Sequence, residues 1–254
     1  MKPSAERLSH WLHEHRTLRV ADSEPRNLLP SLKLLQRWQS RRLALSFADL
    51  AKHPRFAAAT RFFLDDLYGE HDFSARDHAI ERVAPLLVRL LSEPVIATVA
   101  DAVEVGALSH RLDLAMAEAL HPELEGGGVL DTEAYARAYR AVGDRTGRER
   151  QIELIVILGH ALEGHVRRPW VRRLLRLARG PARGAGLGEL QGFLERGFAA
   201  FLDMGEAAPF LDTIESRERS AMDGLYSGMD DPFALGDEAP RLALDRPQPK
   251  ASSR

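Results

Sequence analysis

The spacing of prolines, set against the spacing of apolar side chains, constrains this chain more than any other feature. No proline falls between Pro94 and Pro122, between Pro122 and Pro169, or between Pro181 and Pro209. A proline inside a helix costs about 3 kcal/mol, so these intervals are where helices of several turns can run and the prolines mark the joints. Within the segments the apolar beat is helical. Ile80, Val83, Leu87 and Leu90 recur at i, i+3, i+7 and i+10 and share one face.

Local start and stop signals divide the chain further. Helices are predicted over 5–19 and 27–50, followed by an apolar helix through Phe62, Phe63, Leu64, Leu67 and Tyr68 that stops at Gly69. Ser74, with Asp77 three residues on, reads as the cap of the next helix. Ser92-Glu93-Pro94 opens an alanine-rich helix reaching about Leu120, and the triple glycine between Glu125 and Val129 breaks the chain. Asp131 or Thr132 caps a helix through Tyr139, and further helices fall at 147–166, 169–179, 187–204 and 207–227. The β-branched run Leu154–Leu158 competes as a buried strand, but Arg-Glu-Arg-Gln before it and Ala161-Leu162-Glu163 after it favour helix.

The expectation is an all-α, single-domain, multi-helix bundle over 1–228, with 147–166 as its buried central helix. Residues 229–254, with Pro232, Pro240, Pro247 and Pro249, are expected to form a disordered, acidic, proline-rich tail.

There is no cysteine, which excludes disulfides, thiolate metal sites and thiol nucleophiles and suits a reducing, cytoplasmic location. The N-terminus is charged from Lys2 and lacks the apolar stretch of a signal peptide. The longest strongly apolar run, Leu154–Leu162, falls short of the roughly 20 residues that span a bilayer, so no membrane partner is expected.

The segment Arg61–Pro85, RFFLDDLYGEHDFSARDHAIERVAP, resembles the signature of an uncharacterised bacterial helical family with an FFL-x-x-LYG-x-x-DF-x-x-RD pattern. Ala107–Ala117, ALSHRLDLAMA, is similar to that family's next block. The resemblance implies an all-helical fold and no assigned activity. Physically the first block is a helix, a tight turn and a capped helix. Asp72, Arg76 and Asp77 sit at the corner, where carboxylates suit the helix start and Arg76 is in reach of Asp65 or Asp66. The corner serves as a structural cap or as a polar pocket.

Three further constellations bear on function. His110 with Asp113, and His160 with Glu163, repeat an i, i+3 spacing, and Glu153 lies two turns before His160. If their helices face each other, these five residues suit a metal or haem centre in a bundle, with Gly106, Ala107 and Gly159 leaving room. The order reverses the Glu-x-x-His of di-iron bundles, and histidines hydrogen-bonded at the core edge are the plainer explanation.

Second, Arg167, Arg168, Arg172, Arg173, Arg176, Arg179 and Arg183 follow one another without an acid, beside Trp170. Arg172, Arg176 and Arg179 share a face that suits phosphates or nucleic acid. Ten acids against two arginines over 201–239 offer an internal cover instead. Third, Gly184-Ala185-Gly186-Leu187-Gly188 lacks the preceding strand that a dinucleotide site needs, and reads as a linker.

No nucleophile motif stands out, and the only lysines are Lys2, Lys33, Lys52 and Lys250. The leading expectation is therefore a protein-interaction or regulatory module that binds a protein partner or itself. A metal- or haem-binding helical enzyme, and a nucleic-acid or anion binder through the arginine helix, are the alternatives.

Overall fold

A computed structural model describes residues 2–67 and 74–244, with all their side chains except those of 74–77. The chain is all-α. The helices are α1 (Pro3–Arg19), α2 (Pro30–Ser46), α3 (Ala48–Lys52), α4 (Ala57–Arg61), α5 (Ser74–Leu90), α6 (Glu93–Glu125), α7 (Thr132–Val142), α8 (Arg145–Val166), α9 (Pro169–Gly184), α10 (Gly188–Met204) and α11 (Ala208–Ser227). A π-helical turn, Phe62–Leu67, extends α4. Two two-residue strands, β1 (Val129–Leu130) and β2 (Leu242–Ala243), pair antiparallel.

Proline opens α1, α2, α6, α9 and α11, where its missing N–H is not needed. It does not mark every joint, because Pro85, Pro122 and Pro181 lie inside α5, α6 and α9. Pro122 and Pro181 fall in the last turn of their helices, so only a few residues follow them. The Asp131 side chain accepts from Ala134 N at 3.1 Å, and that of Asp144 from Gly147 N at 2.8 Å, capping α7 and α8. Between them Gly143, at φ 68°, supplies the left-handed residue that ends α7.

The expected central helix is not the central one. Residues Leu154–Leu158 are helical, but α8 is buried along one side only, and Glu153, Ile157 and His160 are exposed. The long α6 takes the middle. Its 33 residues carry thirteen buried side chains, and α1, α2, α7 and α8 all pack on it. α1 runs alongside it in the same direction, Ser4 N donating to Glu93 Oε1 and Arg7 donating to Asp101 and Glu104. α8 runs the opposite way, from Arg111–Asp144 at one end to Thr98–His165 at the other.

The core follows α6 from end to end. Leu8, Ala84, Ile96 and Ala100 fill one end, and Leu108, Leu112 and Leu154 the middle. The largest cluster, at the other end, surrounds the fully buried Trp38, which stacks on Tyr135. A further cluster beside these joins Phe47, Phe56, Phe63, Phe201 and Phe210. Phe47, 1 % exposed, interrupts the helix expected over 27–50, because its side chain is drawn into that cluster.

The stretch expected to be a tail packs on the body as far as residue 244. Phe233 lies edge-on to Trp38 and Tyr135, Trp38 Nε1 donates to Pro240 O at 2.7 Å, and Leu242 pairs with Leu130 in the small sheet. Proline and acid content alone predict disorder, but a buried aromatic and a chain of backbone partners offset the ordering entropy. Residues 245–254 lie outside the described residues.

Candidate functional site

The metal set is not brought together. Among the described residues no three His, Asp or Glu side chains approach as a metal site requires. His110 is 6 % exposed and turns toward the loop after α1, where its Nε2 bonds Asn27 Oδ1 at 2.8 Å. Asn27 Nδ2 donates to Leu18 O and Glu24 O, which leaves its oxygen as acceptor and puts the proton on Nε2. Burial, with the charges of Arg19 and His15 nearby, pushes the His110 imidazole down to about 4.

Asp113 points to α2 instead, accepting from Gln39 Nε2 at 3.1 Å. Burial pushes its carboxyl up, against the pull of Arg148 and Gln39. On α8, Glu153 pairs with Arg150 and Glu163 with Arg167, while His160 is exposed. The i, i+3 spacing is present on both helices. Its members face different neighbours because the rotation of each helix about its axis is set by tertiary packing.

Gly159, expected to leave room for a ligand, leaves room for Leu211 of α11. A Cβ there would fall 2.7 Å from Leu211 Cδ1 and closer still to Cδ2.

Of the corner motif, Asp72 and the side chains of Arg76 and Asp77 lie outside the described residues. Asp66, one of the two expected partners of Arg76, pairs with Arg196 of α10 at 2.5 Å.

A cleft of about 310 Å³ opens between α1, α6 and the start of α8, lined by Trp11, Glu104, Arg111, Asp144 and Arg150 among others. Its charges are paired internally, Glu104 with Arg7 and Arg150, and Arg111 with Asp144. The charges lining it are thus each taken up by another side chain of the protein.

The arginine helix is different. α9 contains no buried residue and packs chiefly on α10, with a smaller contact to α8. Three stripes run along it at the same i, i+4, i+7, i+11 spacing. Val171, Leu175, Ala178 and Ala182 are half-buried and form the inner stripe. Arg172, Arg176, Arg179 and Arg183 form an exposed stripe on one side of it. Trp170, Leu174, Leu177 and Pro181 form an exposed stripe on the other, with Trp170 at 44 %, Leu174 at 46 % and Leu177 at 70 % exposure. Arg173, Gly180 and Gly184 lie on the outward midline between the two exposed stripes.

Two bonds tie α9 to α10. Gln191 Nε2 donates to Leu175 O at 2.8 Å, and Arg179 Nε donates to Glu195 Oε1 at 2.6 Å. The Arg179 guanidinium holds the Glu195 carboxyl below the usual carboxylate range. Arg167 pairs with Glu163.

The acids of 201–239 do not cover the arginine helix. Glu218 pairs with Arg42, Asp223 with Arg145 and Glu215 with Arg219, because α11 packs principally on α8 and α7. Among the described residues, Arg168, Arg172, Arg173, Arg176 and Arg183 have no carboxylate within ion-pair distance. The linker expected over 184–188 is shorter than that: α9 extends through Gly184 and α10 starts at Gly188, so residues 185–187 alone join them, with Gly186 at φ +70°.

Sequence reasoning located the arginine stripe but not the bare apolar stripe beside it. The signal was present in the repeat Trp170, Leu174, Leu177, Pro181. Only packing shows that α10 covers the neighbouring stripe and leaves this one open.

A model of the protein family described as Domain of unknown function (DUF8198) matches residues 18–232. No curated protein and no solved structure matches the chain significantly. No helix among the described residues is long and apolar enough to cross a membrane.

Proposed function

The chain belongs to the family described as Domain of unknown function (DUF8198), and from that premise we propose that it is an interaction module whose binding surface is the outward side of α9. One observation carries this reading. A sixteen-residue helix, attached to a well-packed body, keeps an apolar stripe and an arginine stripe uncovered, one on each flank of its outward side. Single exposed leucines are common on any surface, but three large apolar side chains in one row, on a helix that also carries unpaired cations, form a patch that a binding partner would cover. The cysteine-free sequence suits work in a reducing cytoplasm.

The alternatives draw less support. The five metal candidates face different neighbours, and a nucleic acid makes use of the arginines but leaves the Trp170 stripe bare.

Sedimentation of the chain in a whole-cell extract tests the reading. The wild type is expected to travel with material larger than itself, and the variant Leu174→Asp with Leu177→Asp to travel as the isolated protein. Identical sedimentation of the two would refute the assignment to α9.

A further inference from the structure

Given α9 as the binding surface, we infer that its partner is an anionic lipid surface, on which the helix lies in the plane of the headgroups. Residues 164–188 hold seven arginines and no acid, so the segment is drawn to negative charge. Five of those arginines, Arg168, Arg172, Arg173, Arg176 and Arg183, have no carboxylate partner among the described residues. Trp170, Leu174 and Leu177 supply what an interfacial helix sinks below the headgroups, with an aromatic ring at the boundary.

The shape separates a lipid surface from other occupants. The Leu174 and Arg176 stripes flank the outward midline, nearly half a turn apart, so a partner helix packed along a single seam would engage one stripe and leave the other out. A bilayer into which α9 sinks part-way meets both, and arginine side chains are long enough to reach lipid phosphates while their stems lie along apolar surface. On the midline itself Arg173 stands toward the start of the helix and can reach a lipid phosphate, while Gly180 and Gly184 have nothing within 4 Å of where a Cβ would stand, so the C-terminal half of the helix can come close to a flat surface. A second copy pairing α9 with α9 along the apolar stripe would leave the arginine stripes of both copies uncovered. The absence of a spanning helix among the described residues does not bear on this, because an in-plane helix needs only one apolar side.

Vesicle flotation of the full chain tests the proposal. The probes are vesicles of equal parts phosphatidylcholine and phosphatidylglycerol, and vesicles of phosphatidylcholine alone. The chain is expected to float with the first and not the second, and to be released by salt. Leu174→Asp with Leu177→Asp is expected to abolish flotation. Arg173→Gln with Arg176→Gln should weaken it about 25-fold, from roughly fivefold per arginine. All four positions are exposed, and an unchanged circular dichroism spectrum shows that a variant has folded.

Flotation with both kinds of vesicle alike, flotation that survives the leucine variant, or no flotation at all overturns the lipid assignment. In the last case the sedimentation experiment separates the two ideas. A leucine-dependent complex in the extract leaves α9 as the surface for an acidic protein partner, and its absence removes both.

Discussion

Gly159 sits where α8 crosses α11, and replacing it with alanine sets two effects of known sign against each other. Alanine in place of glycine inside a helix is worth up to about 1 kcal/mol of propensity. The added methyl, however, would stand 2.7 Å from Leu211 Cδ1 and nearer to Cδ2, against an ordinary carbon contact of about 3.5–4.0 Å. Leu211 is 2 % exposed and held among Phe210, Ile214 and Val166, so its side chain cannot swing clear. Overpacking of this kind costs about 1–3 kcal/mol, and the severity of the clash places it at the upper end.

The net expectation for Gly159→Ala is a loss of about 2 kcal/mol, or roughly 4–8 °C in Tm for a chain of this size. Gly164→Ala, on the same helix with nothing within 4 Å, keeps only the propensity gain and should raise stability by about 0.5–1 kcal/mol. Thermal and urea unfolding of the two variants beside the wild type measure both. A Gly159→Ala protein as stable as Gly164→Ala would refute the close approach of α8 and α11.

Other consequences are open to equally simple measurements. His110 has its native pKa pushed down to about 4, so the unfolded chain takes up a proton first. Its contribution is intact above about pH 6.5 and is lost as pH falls toward 4, by about 2 kcal/mol at pH 5. Asp113, pushed up by burial, acts in the opposite sense, so the informative comparison is with His110→Gln. That variant should flatten the loss in urea titrations between about pH 6.5 and 4, and an unchanged slope would count against a neutral, buried imidazole. Phe233→Ala should cost about 3 kcal/mol, since the ring is 9 % exposed and touches Trp38 and Tyr135. A free tail would tolerate the change without effect, and denaturant midpoints decide between the two.

Helix position proved legible where its cause is local. The apolar beat and the prolines placed α1, α8, α10 and α11 within a few residues of their observed bounds, and of the two caps expected for α7, Asp131 or Thr132, Asp131 is the one that accepts from Ala134 N. Legibility ended where the cause is distant in the chain. Phe47 breaks a helix because a cluster that includes Phe63 of the π-helical turn, Phe201 of α10 and Phe210 of α11 receives it, and nothing near residue 47 says so. The order of 229–244 depends on Trp38, some two hundred residues away.

The same distinction explains the sites. Spacing correctly put His110 and Asp113 on one helix and His160 and Glu163 on another. The rotation that turns His110 to Asn27 and leaves His160 in solvent belongs to the packing of α1 and α8 on α6. The arginines of α9 could be read from the sequence because no acid interrupts them. The exposure of Leu174 and Leu177 could not, since a stripe of leucines in a helix is ordinarily core.

The central claim, that the outward side of α9 is covered when the protein is at work, is tested most directly by the reactivity of one engineered thiol. The chain has no cysteine, so Leu177→Cys carries a single reactive site in the bare stripe, and Leu28→Cys, at a residue 73 % exposed elsewhere, serves as its control. In the purified protein both thiols should react rapidly with a maleimide. In whole-cell extract the thiol at 177 should slow several-fold while that at 28 does not. Equal rates at 177 in the two settings would contradict the claim.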